Sequence, residues 1–418
     1  MKFTEKLAAL TDKIPYLKDH PQQAKWIVGG TLAALILVIV ILSVILCSRA
    51  NQPEPTEPTT VPPTTTEPTT VPPTTTVPPT TVPPTTVPPT TAPPETTVPP
   101  TTEPVILYTN PLTGEPMEEL SEKRPFAIVF NNAKPSMPQH GISAADVLCE
   151  ILVEGTTRCL GICTDITGVE TFGSIRSARP YFISLAQSFD SVLVHAGGST
   201  EAYSIFQSGG WDHIDGVKGP SAGKYYYRDQ ERRKQGYSLE HTMFIKPDKI
   251  QEYAEKMKCD LEREGGVDFG WSFAEKPSIS GSKAKSINVW FTTNGYTSSW
   301  VKSTSLEYNK TDKLYYASQY KNPWIDGNTD DQLAFTNVVV LRAKTVNQGD
   351  KAGHWTIDLV GSGTGYYAYR GKIININWSR ASAQSPFTFT LEDGTPLTLA
   401  VGKTYMGIIP GKGVVEFE

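Results

Sequence analysis

Between Asn51 and Pro104 the chain is written almost entirely in Thr, Pro, Val and Glu, cycling through units such as Val77-Pro78-Pro79-Thr80-Thr81 and Val82-Pro83-Pro84-Thr85-Thr86. Such a stretch has too little apolar surface to offset the entropy of ordering, so it cannot build a core. Paired prolines favour extended polyproline II at ~3.1 Å per residue, which gives a reach on the order of 170 Å when fully stretched. Residues 48–104 are therefore read as a semi-rigid stalk. The simplest role is an inert spacer, and dense threonines beside prolines also invite O-glycosylation. Anything that folds must lie on either side of it.

On the leading side, residues 27–47 form an uncharged apolar run from Ile27 to Cys47, about the length that spans a bilayer. The preceding tail, 1–26, carries Lys2, Lys6, Lys13, Lys18 and Lys25, whereas Arg49 is the only basic residue for a long way on the other side. That bias predicts a cytoplasmic tail, a single transmembrane anchor with Trp26 at the interface, and an extracellular remainder. A cleaved signal peptide usually has a shorter apolar core ending in small residues, whereas this run ends Val44-Ile45-Leu46-Cys47. Lipid attachment at Cys47 meets a similar objection, since bulky Leu46 stands where such cleavage sites carry a small residue.

The remaining portion, 105–418, exceeds the usual single-domain size and is read as two domains, 105–266 and 267–418. The first shows strands at Phe126–Phe130, Val147–Val153 and Arg158–Thr164, then α/β alternation: a helix led by Pro180, a strand Val192–His195, a helix Thr200–Gln207 and a helix Ile250–Leu261. The second carries short runs rich in β-branched and aromatic residues, among them Ile287–Thr292, Asn337–Arg342, Lys372–Trp378 and Thr404–Ile409, and reads as antiparallel β structure. The expected class is α+β, an α/β-type domain followed by a mostly antiparallel β domain. Gly361-Ser362-Gly363-Thr364-Gly365 lacks the Gly-Lys-Ser/Thr and helix of a phosphate loop and reads as a flexible connection between strands. Asp393-Gly394 marks a hairpin turn. Of five cysteines, Cys47 belongs to the anchor, and Cys149, Cys159, Cys163 and Cys259 lack zinc-site spacing; Cys159 and Cys163 share a strand face, and a bond from Cys149 to one of them stays open. The net charge of −5 and scattered basic residues give no nucleic-acid footprint.

One stretch stands out chemically, Ser174-Ile175-Arg176-Ser177-Ala178-Arg179-Pro180. Arg176 and Arg179 sit at the positive end of a helix, where cations are misplaced unless a ligand or a carboxylate lies among them. The buried strand that follows ends in His195-Ala196-Gly197-Gly198-Ser199, and a glycine pair there would admit a ligand close to backbone N–H groups.

The order Asp146…Glu150…Val153-Glu154-Gly155…Thr157-Arg158, then Arg176-Ser177-Ala178-Arg179-Pro180-Tyr181, then His195-Ala196-Gly197-Gly198-Ser199, then Tyr227-Arg228-Asp229…His241, resembles the YerB-like, or DUF3048, family of envelope proteins. Trp378, Asp393-Gly394 and Gly402-Lys403-Thr404 resemble its second domain. The resemblance implies an envelope location, often through lipoprotein tethering in Gram-positive bacteria, and carries no established activity. Asn131-Asn132-Ala133 departs from the Asp-Asn-His run that relatives tend to show. The candidate ligand-binding set is Arg158, Arg176, Ser177, Arg179, His195, Gly197, Gly198, Ser199, Arg228 and His241. The expected partner is an anionic or glycan ligand of the envelope, with neither metal nor cofactor.

Hydrolysis is the rival reading. No H-E-x-x-H is present and no credible triad order is visible, Ser282-Lys283-Ala284-Lys285 lies in a polar loop, and Asp212-His213-Ile214-Asp215 reads as a polar turn. Glu150 and Glu154, with His195, remain catalytic candidates, the two carboxylates as acid and base in glycan cleavage. The alternative for both is ion pairing with the arginines.

Overall fold

The computed structural model describes residues 108–291 and 302–418. The tail 1–26, the anchor 27–47 and the stalk 48–104 lie outside the described residues. Chain order gives β1 (Phe126–Asn131), β2 (Val147–Val153), β3 (Thr156–Cys163), α1 (Pro180–Ser188), β4 (Val192–His195), α2 (Thr200–Gln207), β5 (His213–Asp215), β6 (Tyr226–Arg228), β7 (Met243–Ile245) and α3 (Pro247–Lys256). There follow β8 (Ser282–Lys283), β9 (Ser286–Phe291), β10 (Lys302–Tyr308), β11 (Tyr315–Gln319), β12 (Asn337–Asn347), β13 (Gly361–Tyr369), β14 (Lys372–Arg380), β15 (Thr388–Thr390), β16 (Thr404–Pro410) and β17 (Val414–Phe417). Helices are few and short, so β structure dominates the first half as well as the second.

A twelve-stranded mixed sheet runs β8-β14-β13-β12-β16-β2-β3-β1-β4-β5, with β15 and Trp355–Asp358 beside it. Strands from both sides of Gly266 therefore share one sheet. The join is β16, which pairs in parallel with β12 on one side and with β2 on the other. Every residue of β2 and of β16 is buried, the pattern of strands covered on both faces. A six-stranded sheet, containing β11-β10-β9-β17 in that order, packs beside it, and a three-stranded sheet places β7 between β6 and Phe172–Gly173.

Two local readings are corrected. Gly361–Gly365 is not a connection but the first half of β13, because the glycines let neighbours come close: a Cβ on Gly363 would lie 2.6 Å from Trp378 Nε1 and 2.8 Å from Arg342 O. Asp212–Asp215 is not a turn either. His213–Asp215 forms β5, parallel to β4, with Ile214 in the core and Asp215 buried for reasons that emerge at the cavity below. Cys149, Cys159, Cys163 and Cys259 are all free thiols, and burial pushes each of them above the ordinary thiol range, that of Cys259 to about 11.

Candidate functional site

Pro180 at the first position of α1 places Arg179 at the helix N-cap, and the two preceding residues run alongside the turn after β4. Ala196 N donates to Arg176 O (3.0 Å), Ala178 N to Gly197 O (2.9 Å) and Ser199 N to Ala178 O (3.2 Å). Gly197 has φ +82°, a left-handed conformation that favours glycine, and a Cβ there would meet Ser177 Oγ at 3.2 Å. These paired segments form one wall of a cavity of about 440 Å³ at the carboxyl end of β4. Arg176, Ser177, Gly197, Gly198 and Arg228 line it, joined by Tyr203, Lys218 and Glu240.

Three cations thus face one carboxylate. Arg176 reaches Glu240 at 3.1 Å with one terminal nitrogen, while its Nε is buried and has no hydrogen-bond partner among the described residues. Arg228 donates to Leu239 O at 2.6 Å, and burial followed by the charges of Arg233 and Arg176 lowers its pKa. Lys218 Nζ sits 3.7 Å above the Tyr203 ring, a cation–π contact.

Asp215 sets this geometry, and sequence reasoning missed it. Its Oδ1 accepts from Gly197 N and Val217 N, both at 2.8 Å, and its Oδ2 accepts from Tyr203 OH at 2.8 Å and Lys218 N at 3.2 Å. Burial opposes ionisation, but His195 and these donors outweigh it and hold the carboxyl below its ordinary value. The available signal was the apolar Ile214 between two polar residues, too short to distinguish a strand from a turn.

The other predicted residues are placed elsewhere. Arg179 clamps Glu154 bidentately, Nε to Oε1 at 2.7 Å and a terminal nitrogen to Oε2 at 2.8 Å. Arg158 is buried, donates to Ser177 O at 2.7 Å and also pairs with Glu154, and burial followed by the charges of Arg179 and Arg176 draws its pKa down to about 9. Both arginines brace the cavity wall from behind. Ser199 caps α2 by accepting from Ala202 N. His241 is buried against Asn131 Nδ2 at 2.8 Å, below a neighbouring hollow.

His195 turns inward and does not line the cavity. Its Nδ1 meets Gly197 O at 2.8 Å, so that nitrogen carries the proton, and Nε2 accepts from His213 Nδ1 at 2.9 Å. Burial lowers the pKa of both rings, that of His213 to about 4. With Nδ1–H held on Gly197 O and Nε2 against His213, His195 has both ring nitrogens engaged inside the core and presents neither to the cavity.

The acid–base reading of Glu150 and Glu154 is also corrected. Glu150 is fully buried, accepts from the hydroxyls of Thr157 (2.6 Å), Thr304 (2.6 Å) and Tyr405 (2.8 Å) and from Asn132 Nδ2 (2.9 Å), and pairs with Lys302 at 3.3 Å. No substrate reaches it. Burial would raise the Glu154 carboxyl, but its arginine partners more than reverse this and keep it below its ordinary value, the wrong direction for a general acid. Among the described residues no group of three or more His, Cys, Asp or Glu could hold a metal ion.

Fold and cavity together define a β-rich protein built on one mixed sheet, with a cationic cavity at the carboxyl end of a strand. Comparison with known proteins then gives the family. Residues 112–260 match the model described as "Protein of unknown function (DUF3048) N-terminal domain", and residues 293–406 match its C-terminal domain. The chain belongs to the DUF3048 family. It is 30% identical over 302 residues to "Putative lipoprotein YerB" of Bacillus subtilis (strain 168), covering 72% of this chain and 86% of that one. The crystal structure of YerB from Bacillus subtilis is similar, with a TM-score of 0.63 at 27% identity, covering 74% of this chain and 99% of that one.

Proposed function

We propose that this chain is an extracytoplasmic envelope protein that binds an anionic ligand, a phosphate or carboxylate group, in the cavity of Arg176, Lys218 and Arg228. The observation that carries the reading is the Arg176 guanidinium: it lies among three cations facing one carboxylate, and its Nε is buried and unpartnered among the described residues. A planar guanidinium with a spare donor suits a bidentate oxyanion. Inorganic phosphate and acetate, titrated separately, distinguish the two anions. One of them is expected to raise the melting temperature of the full chain saturably, and Arg176→Ala is expected to fold and lose that shift. Phosphate also stabilises proteins by exclusion from their surface, so an equal shift in Arg176→Ala would overturn the proposal.

The envelope location rests on the lysine-rich tail, the apolar run 27–47 and the stalk, and on the YerB relative whose name describes a lipoprotein. In this reading 27–47 remains as a single transmembrane anchor with the tail in the cytoplasm. Protease added to protoplasts should remove everything after Pro104 and leave a membrane-bound stub with the original N-terminus. A mature protein beginning at Cys47 would replace the anchor with lipid.

A further inference from the structure

Among the described residues, the β14 edge of the large sheet is covered only at its two ends. β8 pairs with Lys372 and Ile373 of β14, and β15 pairs with Asn377, Trp378 and Ser379, leaving Ile374–Ile376 bare between them. A cleft of about 910 Å³ opens on this gap, flanked by the strip 277–282 and the turn at Asp393, with the Tyr366–Phe417 ring pair on its wall. Gly281 lies so close to Ile373 O that a Cβ there would sit 2.1 Å from it, which shows that Ile373 turns its backbone outward. By the two-residue period of a strand Asn375 does the same. Among the described residues, neither N–H nor C=O of Asn375 has a backbone partner on that side.

We propose that this cleft binds a neutral N-acetylated glycan, with the acetamido group of one sugar pairing with Asn375 N–H and C=O and its ring resting on Phe417. An acetamido group supplies one acceptor and one donor, the complement of that pair. The bare edge spans about three residues, roughly 10 Å, shorter than the usual strand of about five or six residues and blocked in plane by β8 and β15. A compact amide fits where an extended peptide does not. Hydroxyls of Ser278, Ser280, Thr395 and Thr398 and the carboxylates of Glu392 and Asp393 line the cleft, and none of its lining residues is basic. Carboxylates accept from sugar hydroxyls and repel polyanions, and an exposed aromatic face suits the apolar side of a sugar ring. This cleft shares no residue with the Arg176 cavity.

Calorimetric titration of the full chain in mild detergent tests this with three probes: tri-N-acetylchitotriose, the same trimer without acetyl groups, and a neutral heptapeptide. The acetylated trimer is expected to bind at least tenfold more tightly than the deacetylated one, although the latter is cationic and the cleft acidic. Asn375→Pro, which removes the outward N–H on a sheet edge together with the side chain that donates to Glu392 Oε1, should weaken binding at least tenfold, whereas Asn375→Ala, which loses the side chain alone, should keep most of it, and Phe417→Ser should weaken binding too. Equal binding of the two trimers, preference for the peptide, no binding of the acetylated trimer, or undiminished binding by Asn375→Pro would each overturn the proposal. The comparison of trimers on the unaltered chain decides the matter even where the proline variant fails to fold.

Discussion

Replacing Lys302 with methionine will lower the stability of the folded portion by about 3–5 kcal/mol, the usual penalty for leaving a buried charge unpaired. Lys302 and Glu150 are both sealed from solvent, and the ammonium sits 4.6 Å above the Tyr320 ring. Burial pulls the lysine below its ordinary pKa, against the opposing pull of Glu150. Without the lysine, Glu150 keeps its hydroxyl donors but loses its counter-charge. The double variant Glu150→Gln/Lys302→Met removes both charges and is expected to recover most of the loss. Thermal melts of the two variants check this, and a single variant as stable as the parent would show that the hydroxyls alone carry the carboxylate.

Asp215→Ala is expected to cost a further separate amount of about 3–5 kcal/mol and to abolish anion-induced stabilisation. Four donors lose their acceptor at once, and all of them, on Gly197, Val217, Lys218 and Tyr203, belong to cavity-lining residues. Asp215→Asn keeps one acceptor oxygen and should lose roughly half as much. The pH dependence has a defined sign. The folded carboxyl is depressed, so its contribution is complete above the unfolded value of about 3.9 and is lost as pH falls through the lower folded value. The acid limb of the stability curve should therefore be shallower in Asp215→Asn, and an unchanged limb would assign acid unfolding to other carboxylates.

Local chemistry was legible in the chain, and long-range pairing was not. Pro180, the apolar spacing after it, and the bounds of β2 and β4 follow from patterns within a few residues, and the structure keeps them. The wall formed by Arg176, Ser177, Gly197 and Gly198 was visible because two strand-to-helix turns advertise themselves. His195, Arg158 and Arg179 were harder, because a buried histidine and a ligand histidine look alike in sequence and no spacing shows that Glu154 folds back onto both arginines. Lys218 lies in an unremarkable loop that lines the cavity, its backbone N–H held by Asp215. The single sheet across both halves depends on register between distant segments, about which hydrophobic runs say only that both faces are covered.

β16 gives the molecule a particular relation to time. Tyr405 reaches Glu150 across 255 positions of chain, and the strand that carries it fills the slot between β2 and β12. A ribosome delivers β2 and then β12 before β16 exists, so until Thr404–Pro410 is made the two strands that flank its slot, each with a buried apolar run, present bare edges to each other and to neighbouring chains. The keystone arrives after both of its neighbours. Nonsense or frameshift lesions before Thr404 thus do not trim this protein; they leave it as an arch without its centre stone, with sticky edges in place of a finished sheet.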